Sequence, residues 1–345
     1  MRVVDIHSHF FPETWTDLEA KFGGGDWPWL RHQAPVSGER PKAMLMKGQQ
    51  EFRPIYSACW DPEVRLEEMD RDGVEKQIIS ATPILFAYEK PVEQALYCAQ
   101  IFNDAALEIC SRGDNRLFAL AQVPLQDSDA ACKEVSRAKQ TGHCGVQIGN
   151  HVGLKNMDDE GVLTFLQHCA DEDIAVFVHP WDMMAAERTK DYMMGWTVGM
   201  PAETQLSIVS MILGGGFDRV SDKLKICFAH GGGSFSFLLG RLENAWHYRD
   251  IARGKSEHPP SHYLDRFYLD TAVFDHDSLE LLTRKMGEDR LMFGTDYPFP
   301  LGEQEMGKLI KTSPYLDDSQ KQKLLASNAE SFFGIQYVRH YRKTT

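Results

Sequence analysis

Histidine and carboxylate side chains recur in this sequence where they could act together. His7-Ser8-His9 places two imidazoles two residues apart, and a strand, whose side chains alternate with a period of two, would hold both on one face. Two imidazoles so placed can share a metal ion. His179, His230 and Asp296 each close a short apolar run, in AVFVHP, KICFAH and RLMFGTD. A borderline divalent ion such as Zn²⁺ takes imidazole nitrogen and carboxylate oxygen and, in a catalytic site, keeps one position for water or substrate. Taken singly, each of these histidines is as readily a core or surface residue. All five groups at the ends of apolar runs favour a shared catalytic centre, although spacing alone does not say which of them bind the ion.

Eight such runs carry the pattern: 2–7, 76–82, 117–123, 144–149, 175–180, 225–230, 267–272 and 290–296. They are rich in β-branched and aromatic residues and are separated by stretches of helical periodicity. PVEQALYCAQIFNDAALEIC is one of these, VRLEEMDRDGV (64–74) another, and a third has Asp127 or Ser128 as its N-cap and Gly142 as its C-cap. Strict βα alternation implies a parallel sheet, and eight units imply a closed TIM-like (β/α)₈ barrel with its chemistry at the C-terminal strand ends. A doubly wound open sheet is the alternative. Residues 12–74 interrupt the rhythm, far exceeding an ordinary βα loop. Trp15, Trp27, Trp29 and Trp60 argue against disorder there, so 12–60 is expected to fold as a cap inserted between the first two strands. Residues 320–335 read as a closing amphipathic helix, and 1–340 as one domain. Asp5, on the strand face of His7, is a candidate for orienting that ring.

Composition narrows the ligand. The 345 residues include 37 Lys+Arg against 50 Asp+Glu, a formal charge of −13, which opposes general nucleic-acid binding. An anionic substrate must be held by a few placed cations. No long apolar window or cleavable leader is visible, so a soluble, cytoplasmic protein without a membrane partner is expected. Seven scattered cysteines with no C-x-x-C spacing argue against a disulfide framework and read as buried thiols. Gly231, Gly232 and Gly233 lack the spacing of a phosphate-binding loop and read as a tight exit from the strand.

The motifs HSHFF, FRPIY, WDPEVRLEEMD, AQVPLQD, VHPWDMM, FAHGGGSFSFLLGR and GTDYPFPLGE, spread over residues 7 to 303, resemble the decarboxylase branch of the amidohydrolase superfamily. The resemblance implies that His7, His9, His179 and Asp296 are metal ligands and that His230 is the acid and base. It implies substrate contacts from Arg53 and Lys47, an arginine, Arg241, that enters the neighbouring subunit's site in a homodimer, and pocket walls from Trp196 and Phe299. Two-metal members carry a bridging lysine after the fourth strand, where this chain has Gln147 and Asn150, with Lys155 well beyond. One divalent ion is therefore expected, Zn²⁺ first, with Mn²⁺ and Fe²⁺ suited to the same ligands, and no organic cofactor. The implied reaction is non-oxidative decarboxylation of an acyclic dicarboxylate semialdehyde. Decarboxylation of a salicylate- or resorcylate-like acid, hydrolysis of a lactone or amide, and a non-catalytic scaffold are the competing expectations.

Overall fold

The computed structural model describes residues 1–335. Strand β1 (Val4–Phe10) leads into an insertion made of α1 (Leu18–Phe22) and an antiparallel sheet of β2 (Pro28–His32), β3 (Lys42–Lys47) and β4 (Gln50–Tyr56). Helix and strand then alternate. They run α2 (Pro62–Asp72), β5 (Lys76–Ala81), α3 (Val92–Ser111), β6 (Leu117–Ala121), α4 (Ser128–Thr141), β7 (Gly145–Ile148), α5 (Glu160–Asp171) and β8 (Val176–Val178). After these come α6 (Met200–Leu213), α7 (Gly216–Arg219), β9 (Ile226–Phe228), α8 (Phe235–Tyr248), β10 (Tyr268–Asp270), α9 (His276–Met286) and β11 (Leu291–Met292).

The eight strands β1-β5-β6-β7-β8-β9-β10-β11 lie side by side in that order, and their pairings are parallel. The two ends of the sheet meet. Ile6 N donates to Phe293 O at 2.9 Å, His9 N to Tyr297 O at 2.7 Å and Asp296 N to His7 O at 2.9 Å. This is the (β/α)₈ barrel expected from the alternation, and its closure excludes the open sheet. Period two sorts the strand side chains into layers. Val4, Ile6, Ile78, Leu120, Phe177 and Cys227 form one buried cluster with Phe332 and Phe333 of the C-terminal segment, while their strand neighbours Ile79, Ala119, Val176 and Phe228 join the larger cluster with the helices. That C-terminal segment comprises α10 (Lys308–Lys311), α11 (Asp318–Gln322), a π-turn and α12 (Asn328–Phe333). Residues 336–340 of the expected domain lie outside the described residues.

Within the insertion, strands appear that the sequence pattern did not reveal. KAMLMK and QEFRPIY alternate weakly, and the second contains Pro54, which a central strand excludes. β4 is an edge strand of its small sheet, so Pro54 has no ladder bond to donate. Trp27 and Trp60 are buried in the main core. Asp127 caps α4 by accepting from Ala130 N, and Gly142 ends it. All seven cysteines are free thiols. Cys59, Cys98, Cys169 and Cys227 are buried, whereas Cys110, Cys132 and Cys144 are only half-buried, which corrects the expectation that all seven are enclosed. Among the described residues no helix is long and apolar enough to cross a membrane.

Candidate metal centre

The polar residues of the site stand where the apolar strands run out. His7 and His9 both point into the barrel mouth from β1, with their Nε2 atoms 3.2 Å apart. His179 follows β8, and Asp296 lies in the segment after β11 that closes the barrel on β1. One donor atom from each of His7, His9, His179 and Asp296 can be chosen so that all lie within 4.8 Å of one another. Asp296 Oδ1 is 3.2 Å from His9 Nε2 and 3.5 Å from His7 Nε2.

Hydrogen bonds on the far side of each ring fix what it offers. His7 Nδ1 is 2.6 Å from Asp270 Oδ2, His179 Nδ1 is 2.7 Å from Pro180 O, and His9 Nδ1 is 3.3 Å from Ser80 Oγ. A ring that gives its Nδ1 proton away presents a lone pair at Nε2. Three buried Nε2 atoms therefore converge beside a carboxylate, and among the described residues His179 Nε2 has no hydrogen-bond partner. Burial pushes His9 down to about 4 and His179 well below the ordinary imidazole value, so both stay neutral at neutral pH. For His7, burial is outweighed by the hydrogen bond to Asp270 and the charge of Asp296, and its pKa is raised. Burial would raise Asp296 as well, but the neighbouring imidazoles of His9 and His7 hold it below the usual carboxylate range. This donor set fits a divalent cation, which would satisfy all four groups at once.

His230 stands beside this set and outside it. Its ring centroid is 4.9 Å from that of His179 and 5.2 Å from that of His7. Its Nε2 is buried without a partner, and its Nδ1 is 3.5 Å from Thr204 Oγ1. Burial lowers its pKa, leaving a neutral base. The residue is at φ 54°, as Asp296 is at φ 62°, a left-handed conformation that costs about 1–2 kcal/mol for a residue with a Cβ and is typical of functional positions. The glycines after His230 are a tight exit in the literal sense, since a Cβ on Gly233 would lie 2.0 Å from Pro201 O.

A cavity of about 800 Å³ opens above the centre, lined by His9, His179 and Asp296 and also by Arg53, Lys47, Trp196 and Phe299. Arg53 comes from β4. Its guanidinium carbon is 4.6 Å from the Phe299 ring centroid and 5.5 Å from that of Trp196, and no intrachain carboxylate pairs with it among the described residues. Lys47, at the end of β3, is exposed at the rim. Trp196 belongs to a π-turn, Gly195–Gly199. Arg241 is not brought to the cavity. It is exposed on α8 and has no ion pair within its own chain among the described residues.

One assignment made from sequence changes. Asp5 does not orient the His7 ring. Its carboxylate instead accepts from His7 N, Thr295 N and Oγ1, and Gln77 Nε2, tying the backbones of β1 and the Asp296 segment together. The ring is held by Asp270, which sequence reasoning passed over. The signal was present, because Asp270 lies toward the end of the FYLDTA run, as His179 and His230 lie at or next to the end of theirs. Gln147, near the end of the fourth barrel strand, is bonded to Ala81 O (2.7 Å) and Ser80 Oγ (2.7 Å), and Lys155 pairs outside with Asp159.

Comparison with known proteins agrees with this geometry. The amidohydrolase family profile matches residues 4–335. The 2-amino-3-carboxymuconate-6-semialdehyde decarboxylase of Dictyostelium discoideum is 40% identical over 334 residues, 96% of this chain and 91% of that protein. The protein of the same name from Caenorhabditis elegans is 30% identical over 386 residues, 97% and 94%. Among solved structures, 5-carboxyvanillate decarboxylase from Novosphingobium aromaticivorans, complexed with manganese and 4-hydroxy-3-methoxy-5-nitrobenzoic acid, superposes with a TM-score of 0.77 at 20% identity, over 97% of this chain and 96% of that chain.

The carboxylate behind His7 gives a direct test. Asp270→Asn should weaken metal affinity by about 10–100-fold in a chelator competition titration, the usual effect of removing a group that orients a ligand histidine. An unchanged affinity would show that the Asp270 contact does not set the ring.

Proposed function

This chain belongs to the amidohydrolase family, and on that footing we propose that it is a metal-dependent, non-oxidative decarboxylase. Its proposed reaction converts 2-amino-3-carboxymuconate 6-semialdehyde to 2-aminomuconate 6-semialdehyde, in the breakdown of tryptophan through kynurenine or of nitroaromatic compounds. The observation that carries the reading is a neutral, unpartnered His230 Nε2 beside a four-donor cluster, in a chain 40% identical to a decarboxylase of that name.

His7, His9, His179 and Asp296 would hold one Zn²⁺, and the same ligands accept Mn²⁺. When bound, the ion supplies Lewis acidity and a fixed point for orienting the substrate. His230 Nε2 takes the proton of a water that adds across the substrate's double bond, and returns a proton to carbon. The bond to the carboxylate then breaks, CO₂ and the added hydroxyl leave, and a proton stands where the carboxylate was, with no net oxidation. Arg53 holds a substrate carboxylate through its planar fork, while Phe299 and Trp196 flank its guanidinium and exclude water. Lys47 adds positive charge at the rim. The insertion, residues 12–60, serves as the cap of one barrel domain, since Lys47 and Arg53 both come from it. Seven free thiols suit the reducing cytoplasm.

A dicarboxylate needs a second cation, and Arg241 supplies it from the partner subunit of a homodimer. Two features support this. Among the described residues Arg241 has no carboxylate partner, and Phe237 and Tyr248 are 77% and 79% exposed on the same helix, at spacings that put all three on one face. A second reading, decarboxylation of an aromatic acid, draws on the aromatic walls around Arg53 and would need only one clamp.

Purified, metal-loaded protein should consume the semialdehyde with release of about one CO₂ per turnover, and His230→Ala should keep its metal while losing about 10²–10⁴ in rate. Faster turnover of salicylate- or resorcylate-like acids would favour the second reading, and near-normal turnover by His230→Ala would remove its role. The shared site has its own test. Arg53→Ala and Arg241→Ala homodimers should each be nearly inactive. After subunit exchange, about half of the dimers are mixed and half of their sites are intact, so roughly a quarter of the wild-type activity should return. Confirmed exchange without recovery would place Arg241 outside the partner's site.

A further inference from the structure

Three sequence motifs whose tyrosines and glutamate the chemistry above leaves unused, FRPIY, RLEEMD and GTDYP, meet at one carboxylate. Glu68, 7% exposed on α2, accepts at Oε2 from Tyr56 OH at 2.9 Å and from Tyr297 OH at 2.6 Å, and its Oε1 lies 3.5 Å from Arg40 Nη2. Tyr56 ends β4, three residues past Arg53, and Tyr297 directly follows Asp296. One turn earlier on the same helix, Arg65 is 1% exposed and donates to His9 O at 2.5 Å, to Gln77 Oε1 at 2.8 Å and to Ser8 Oγ at 3.2 Å. Its guanidinium carbon is 4.9 Å from the Tyr297 ring centroid. The helix is thus fastened to the strand that carries His9, while one oxygen of Glu68 joins the strand that carries Arg53 to the segment that carries Asp296.

We propose that Glu68 is a positioning residue that sets where Arg53 stands relative to the Asp296 ligand, acting through the hydroxyls of Tyr56 and Tyr297. A buried carboxylate is a poor way to gain stability alone, because desolvation offsets its bonds and well-packed apolar residues often do as well. What this arrangement supplies is a fixed distance. Both phenols donate to the same atom, so neither chain segment can slide without breaking a charge-assisted bond. Misplacing a substrate-holding group by about 1 Å can cost about 10²-fold in rate. Arg65 fixes the third reference point by holding the carbonyl of His9. The proposal rests on the reading of Arg53 as a substrate clamp and of Asp296 as a ligand.

Tyr56→Phe and Tyr297→Phe each delete one hydroxyl and keep the ring, so both variants are expected to fold. Tyr56→Phe should raise KM by about five- to tenfold, the worth of one hydrogen bond, with kcat changed less and metal affinity kept. Tyr297→Phe should weaken metal affinity in chelator competition by about tenfold, the effect expected of a lost supporting contact. Glu68→Gln should show both changes. A purely structural cluster would lower the melting temperature of all three and move neither quantity. That result, or the failure of either tyrosine variant to show its own change, overturns the proposal. The metal titration needs no substrate, so if the wild-type protein proves inactive on the semialdehyde, the functional reading fails while Tyr297→Phe still decides the positioning claim.

Discussion

Buried imidazoles with their lone pairs turned toward one another are the constraint on which this structure depends. Each of His7, His9 and His179 spends its Nδ1 on a neighbour behind it, on Asp270, Ser80 and the carbonyl of Pro180. The Nε2 atoms are left facing inward, two of them 3.2 Å apart, with the carboxylate of Asp296 beside them. Among the described residues His179 Nε2 finds no hydrogen-bond partner, and His7 and His9 Nε2 meet only each other and Asp296. A buried polar group without a partner costs on the order of 1–3 kcal/mol, and His179 Nε2 and His230 Nε2 are both kept so here. A divalent cation held by His7, His9, His179 and Asp296 would satisfy that set in one step, which explains why three strand ends of the fold converge on it.

The barrel makes such an arrangement feasible. Parallel strands buried on both faces supply stiff supports, and their C-terminal ends converge on one mouth, so residues far apart in sequence arrive within ångströms of each other. Asp5 shows how the closure serves the centre. Its carboxylate, raised to about 6 by burial, staples His7 N to Thr295 N and Oγ1, and so fixes the strand of His7 and His9 against the segment of Asp296. Asp270 plays a double part. One oxygen holds the His7 ring, and the other accepts from Gly231 N, which follows the proton-transfer candidate His230. One carboxylate thereby locates both the His7 ring and the turn that carries His230.

Much of this was legible in the sequence, and the gaps have physical causes. The eight apolar runs and the period-two pair His7 and His9 identify barrel and site because they depend on local periodicity. Strand-end position brought His179, His230 and Asp296 into the same argument. Asp270 was missed although it obeys the same rule, since a lone Asp in FYLDTA has no spacing signal of its own. Asp5 was given the wrong contact because strand periodicity tells which face a side chain occupies and not which atom it reaches. The small sheet of the insertion escaped because Pro54 and weak alternation hide edge strands. The meeting of Tyr56, Glu68 and Tyr297 could not be read at all, as it joins three elements whose approach only the closed fold defines.

Anomalous diffraction from crystals of the metal-loaded protein, collected at the absorption edge of the bound ion, tests the central claim most directly. The account predicts one peak per chain, within bonding distance of His7, His9, His179 and Asp296, with His230 near it but unbound. Two peaks in the barrel mouth, or a single ion coordinated by His230 in place of one of the four, would contradict it.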